Sequence, residues 1–221
     1  GDVPDIIVFS DWLSSGRFNA ELLLDLNAFF DGDSEFSREK IVPCAIESFE
    51  NLSGELKYLT TEFYFSTISG LSEIFDGVKW ELSEFTEFIE NLPDDMTLAD
   101  LHDGKGDPRA SFLWTIMSVV AEDFIDYENK TCDFESGDFG RLLTAIKNSS
   151  FGDGGGDDAY GYSVGKIALN ISNISDISMY LCSVKGRFLG NDMKVLGYPS
   201  RSDGAVTAIS PSLQLGIVKG A

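Results

Sequence analysis

The sequence predicts an α/β protein, and three observations carry that reading. The apolar, mostly β-branched run Ile6-Ile7-Val8-Phe9 reads as a short buried strand. It stops abruptly at Ser10-Asp11-Trp12 and gives way to a helix-like stretch carrying Leu22, Leu23, Leu24 and Leu26. Beyond it, segments with apolar residues at helical spacing alternate with short strand-like runs, as expected of a sheet covered by helices. A polar pair and an indole at the end of a buried strand stand where α/β proteins place ligand contacts.

The remaining elements follow in order. Phe36 to Phe49 is expected to form an amphipathic helix with Ile41, Ala45, Ile46 and Phe49 on one side. Glu55 to Ile68, rich in Tyr, Phe and Thr, is expected to be strand. The next helix begins near Trp80, places Phe85, Phe88, Ile89 and Leu92 on one face, and stops at Pro93. Leu98 to Arg109, with Gly104, Gly106 and Pro108, reads as a loop. An apolar helix follows over Ala110 to Phe124. Phe139, Leu142, Leu143 and Ile146 mark one more helical face, and Gly152 to Asp158 a flexible break. A strand enters at Gly165 to Leu169, Asn170 to Asn173 reads as a strand-to-helix turn, and a last strand is expected at Ala205 to Ile209.

Bulk properties narrow the function. The chain has 221 residues, 43% of them hydrophobic, and a formal net charge of -21. Such a chain can bury a sizeable core, and its length allows one large or two small domains. No stretch approaches the roughly 18 apolar residues of a membrane helix, and no secretory leader is read. The acidic excess opposes nucleic acid and anionic lipid as partners, because phosphate contacts need a basic footprint. Cys44, Cys132 and Cys182 cannot all pair within one chain and match no zinc spacing, so buried reduced thiols are expected. A single histidine, His102, removes most Ser-His-Asp and multi-histidine metal schemes. No cofactor or metal site is expected. Asp31 to Glu35 resembles the start of a calcium loop but has Phe36 where glycine is required, and Asp153, Asp157 and Asp158 read as a solvated loop.

Several longer phrases resemble a known family. They are Pro4-Asp5-Ile6-Ile7 with Glu21 to Leu26, the crossing Gly54 to Thr60, the helix start Trp80 to Phe85, Phe124-Ile125-Asp126 through Cys132-Asp133-Phe134, Gly165 to Leu169, and Gly197-Tyr198-Pro199. Together they resemble the extracellular solute-binding proteins of ABC importers, the maltose/oligosaccharide-binding-like lipoproteins. The phrase from Phe124 to Phe134 is the most specific of them. The crossing lacks the family's proline, and Glu81 stands where threonine usually caps. The resemblance implies a periplasmic-binding-protein-like (type II) two-lobe fold. Residues 1–58 with 197–221 would form an incomplete first lobe and 59–196 the second. The chain is accordingly expected to be a truncated or partial member.

The resemblance also implies a binding function: a sugar or oligosaccharide held between closing lobes, presented to an ABC permease, outside the cell, with a lipid anchor in the precursor. Sugar sites stack an aromatic ring on the apolar face of a pyranose and give each desolvated hydroxyl a polar partner. Ser10, Asp11 and Trp12 suit that role, with Trp12 open between site and core. Asp107, Arg109 and Trp114 form a second set, although Arg109 and Ala110 replace the family's aromatics. Trp114 alone reads more readily as a buried helix residue, as Trp80 does as a core anchor. Ser172 and Asn173 are weaker candidates, and Tyr64 and Tyr198 either line the cleft or pack in the hinge. Two other readings stand beside this one. One is a glycan hydrolase using Asp11 and Asp107 as a carboxylate pair. The other is a non-binding orphan lobe, whose open sheet edges would favour dimers.

Overall fold

The computed structural model describes residues 4–10, 19–32, 37–47, 49–50, 53–78, 80–101, 106–152, 159–201 and 204–220. In chain order its elements are β1 (Ile6–Ser10), α1 (Asn27–Gly32), α2 (Pro43–Glu47), β2 (Leu59–Leu71), α3 (Leu82–Glu90), β3 (Thr97–Ala99) and α4 (Pro108–Val120). There follow β4 (Ile125–Asp126), β5 (Thr131–Cys132), α5 (Gly137–Asn148), α6 (Ala159–Ser163), β6 (Ile167–Ile174), α7 (Ile177–Met179), β7 (Met193–Val195) and β8 (Ala208–Ile217). Helix α7 runs on as a π-helical stretch, Tyr180–Lys185, and a 3-10 turn, Gly186–Phe188. The chain divides into two compact units, residues 1–64 with 209–221 and residues 65–208.

In the first unit β1 pairs antiparallel with β8, from Ile6 opposite Ile217 to Ser10 opposite Leu213. The N-terminal half of β2 lies on the other side of β8, where Gln214 donates to the Thr60 hydroxyl at 3.1 Å. Period-2 alternation turns Phe9 inward, where its ring meets Tyr58 edge-on at 5.1 Å. The same alternation leaves Ile6 and Val8, expected in a buried strand, more than half exposed. A small core of Leu26, Phe30 and Leu56 sits under α1. Asp25 fastens this corner by accepting from the amides of Asn27 and Leu56, both at 3.1 Å. The long helix expected over Phe36 to Phe49 is interrupted: a 3-10 turn covers Arg38–Lys40 and α2 begins only at Pro43. Proline lacks an N–H and clashes with a preceding helical turn, so it starts a helix rather than sitting inside one.

In the second unit the C-terminal half of β2 pairs antiparallel with β6, and β3 joins β6 in parallel. Strand β7 flanks the end of β2. Helices α3, α4 and α5 bury their apolar stripes in one core containing Phe85, Phe112, Ile116, Leu142, Ile146 and Leu169. Each such side chain contributes about 1.5–3 kcal/mol when fully buried. Trp80 is a core anchor, as its periodicity predicts: it is 6% exposed, and its indole N–H donates to the Gly197 carbonyl at 2.8 Å.

Four local expectations are corrected here. Cys132 and Cys182, expected to be buried thiols, are free but exposed, Cys132 on the short hairpin strand β5 and Cys182 on the outer side of the π-helical stretch. Residues 98–99, expected to open a loop, belong to strand β3 (Thr97–Ala99), because Leu98 and Ala99 are buried in the core. Residues 170–173, expected as a turn, continue β6 to Ile174; the ladder to residues 65–69 overrides the turn preference of Asn and Ser. Trp114, expected to be buried, is 77% exposed. Helix α4 is apolar nearly all round, but its core stripe is Phe112, Ile116 and Val120. At about 100° per residue, Trp114 lies about 200° from Phe112 and from Ile116.

The phrase from Phe124 to Phe134 forms the hairpin β4–β5. Asp126 accepts from the amide and side chain of Asn129 across its turn, and Lys130 closes it in the left-handed region at φ 55°. Phe124 and Phe134 stack, and Phe139 meets them edge-on and tilted. Arg201 locks the assembly. It donates to the Asp123 carbonyl, Asp133, Ser136 and Asp138 at 2.9–3.2 Å, and its guanidinium lies 4.4 Å over the Phe124 ring.

Candidate functional site

The carboxyl ends of parallel strands are where α/β folds present ligand contacts. In the second unit that position is the end of β3, paired to β6 through Thr97 opposite Ile167 and Ala99 opposite Leu169. Asp100 follows β3 directly, and the next element is α4. Asp107 caps α4: its carboxylate accepts from the Arg109 amide at 3.0 Å, and Pro108 follows at the position where its missing N–H costs nothing.

Helix α4 brings Asp107, Arg109 and Trp114 together on one element. Their side chains do different work. The Arg109 guanidinium donates to the carbonyls of Lys147 and Ser149 at 3.0 and 3.3 Å, and lies 6.0 Å from the Phe151 ring. A cation over the C-terminal end of α5 meets both its unpaired carbonyls and the negative end of its dipole. Asp107 lies 3.6 Å from the same guanidinium. Trp114 projects most of its indole into solvent, so it offers a flat apolar face at no unfolding cost.

The other predicted residues lie elsewhere. Ser10 ends β1 opposite Leu213, while Asp11 and Trp12 lie outside the described residues. Tyr64 is half-buried in β2. Tyr198 is fully buried, its hydroxyl 2.8 Å from that of Ser66 and its backbone bridged to Val206. Ser172 belongs to a buried network. Asn170 donates to the hydroxyls of Ser69 and Ser172 and to the Ser183 carbonyl, and Ser172 donates to the same carbonyl at 3.0 Å. That carbonyl lies in the π-helical stretch, where the wider turn disturbs the regular ladder. The network pins that stretch to β6.

One residue that the sequence reading passed over is Asp100. The signal for it was the short run Thr97-Leu98-Ala99, whose brevity hid a strand and hence a strand end. Asp100 packs closely on Gly152, where any Cβ would overlap its carboxylate. Among the described residues no three metal-ligating side chains cluster, and no helix is long and apolar enough to cross a membrane.

No family model matches the chain, and no curated protein matches its sequence. Solved structures do match its fold. The sugar-binding protein MalE from Xanthomonas citri superposes with a TM-score of 0.61 at 12% identity, over 99% of this chain and 58% of its own. A solute-binding protein from Agrobacterium radiobacter in complex with ribitol gives 0.58 at 14% identity, over 97% and 57%. An ABC substrate-binding protein from Listeria monocytogenes in complex with cycloalternan gives 0.54 at 13%, over 100% and 58%. These are binding proteins, and the present chain spans somewhat under three fifths of their length. The chain therefore has the α/β, periplasmic-binding-protein-like fold of ABC-transporter solute-binding proteins.

Proposed function

We propose that this chain is the solute-binding part of an ABC importer, taking a sugar or oligosaccharide. The fold supports the class. The observation that carries the ligand is Trp114, a large aromatic side chain left 77% exposed on the helix that follows a parallel strand end. An exposed indole gives a pyranose face a stacking platform, and Asp100 and Asp107 lie on the segments next to it for hydroxyl groups. Trp12, Asp11 and Ser10 serve the same ligand from the first unit. On this reading residues 1–58 with 197–221 belong to the first lobe and 59–196 to the second. Capture proceeds by closure of the lobes, and the closed form is handed to a membrane permease outside the cell. No covalent chemistry is involved: Asp107 acts as a helix cap, accepting from the Arg109 amide.

The test is a thermal-shift and tryptophan-fluorescence titration of the whole chain with maltotriose, glucose and ribitol. A ligand that binds only the folded state stabilises it by about 2.7 kcal/mol at a hundred times its dissociation constant. The expected result is a melting-temperature rise with one of these, lost in Trp114→Ala, whose ligand-free stability stays within about 0.5 kcal/mol of the parent. A cooperatively folding chain that responds to none of them, or a response indifferent to Trp114, overturns the proposal.

A further inference from the structure

We infer that the second unit carries a separate site for a small organic cation, between the C-terminal ends of α3 and α5. A cavity of about 290 Å³ opens there, near the lower end of the range in which proteins hold small molecules. Buried Ile89 and Ala145 form its apolar floor. Its rim is polar: Glu90, Asp94, Asn148 and Ser150.

Three features set the sign of the ligand. Helix α3 ends at this cavity at Glu90 and presents the negative end of its dipole; α5 also ends there, at Asn148, but Arg109 takes up its carbonyls at Lys147 and Ser149. Two carboxylates line it. Arg141 is committed to Glu90 by a forked contact, Nε to Oε1 at 2.9 Å and Nη2 to Oε2, and holds the Glu90 carboxyl below its ordinary range. Among the described residues Asp94 has no ion-pair partner. Among the described residues the side chains of Asp94, Asn148 and Ser150 have no hydrogen-bond partner, so a ligand meets open acceptors. An alkylammonium ion fits this division, its chain over the floor and its ammonium donating to Asp94, Asn148 and Ser150.

The test uses the whole chain at low ionic strength, titrated with 1,4-diaminobutane, with 1,4-butanediol as the neutral counterpart, and read by amide NMR. The expected result is a saturable response confined to the ends of α3 and α5, absent with the diol. It should weaken roughly tenfold in Asp94→Asn, which removes one charge-assisted contact. Asn148→Lys, which places an ammonium at the rim, should block it, and Trp114→Ala should leave it intact. All three positions are exposed, so folding is not at issue. An equal response to the diol, shifts scattered over the acidic surface, or an unchanged response in Asp94→Asn overturns the inference.

Discussion

Replacing Arg201 with alanine tests whether the most distinctive phrase of the sequence is a structural clip. The side chain donates to the Asp123 carbonyl at 3.0 Å and to the Ser136 hydroxyl at 2.9 Å, both bonds partly buried. Bonds from a charged group to such partners contribute about 1.5 kcal/mol each at the lower end of their range. The contacts to Asp133 and Asp138 count for much less: those carboxylates are more than half exposed, and exposed ion pairs contribute about 0–1 kcal/mol. Stacking over Phe124 adds roughly 0.5–1 kcal/mol. The expected loss is therefore about 3–4 kcal/mol. At about 2–4 °C per kcal/mol for a chain of this size, the melting temperature should fall by about 6–16 °C. Asp138→Asn, which touches only a screened contact, should shift it by no more than about 4 °C. Differential scanning calorimetry of both variants provides the comparison. An Arg201→Ala loss below about 1 kcal/mol, or equal losses in the two variants, would show that the hairpin and α5 hold without the clip and refute the reasoning.

Other outcomes follow from single positions. Gly70→Ala should destabilise by about 3 kcal/mol or more in a denaturant melt, because its Cβ would overlap the buried Phe75 ring and approach the Ala168 carbonyl to 2.9 Å. Leu189 is 63% exposed at φ 49°, a region that disfavours residues with a Cβ. Leu189→Gly should therefore raise stability by about 0.5–1 kcal/mol, and a loss would mean that the leucine has a partner. Asp176 caps α7 by accepting from the Met179 amide, and that bond, with the Ser175 hydroxyl, depresses its pKa. A depressed carboxylate contributes stability above its unfolded pKa, near 4, which is lost as pH falls through the folded value. Asp176→Asn should thus flatten the acid limb of the stability profile, checked by melts between pH 2 and 6. Glu90 should titrate in carbon-detected NMR below its ordinary range, and Arg141→Ala should move it upward, since the guanidinium hydrogen bond is the main cause of the depression.

Much of the architecture was legible because it depends on local rules. The strand at Ile6 to Phe9, the stripe Phe85-Ile89, the stop near Pro93 and the indole of Trp80 each show in composition, period or breaker within a few residues, although the unbroken apolar run hid that Ile6 and Val8 face outward. The acidic balance and the lone histidine likewise narrowed the chemistry without a structure. What the sequence could not express is which of several apolar faces the core would choose. Helix α4 offers hydrophobic residues on nearly every side, and only its neighbours α3 and α5 decided that Phe112 and Ile116 turn inward while Trp114 faces water. Strand β3 is three residues long, too short to show a period, and exists because β6 supplies its partner. Arg109 reads as a free cation along the chain, yet the end of α5, brought alongside in three dimensions, takes up its donors. Periodicity and punctuation are properties of neighbours in sequence. Exposure of an indole, pairing of a guanidinium and the cavity between two helix ends are properties of neighbours in space, and only the tertiary structure determines those.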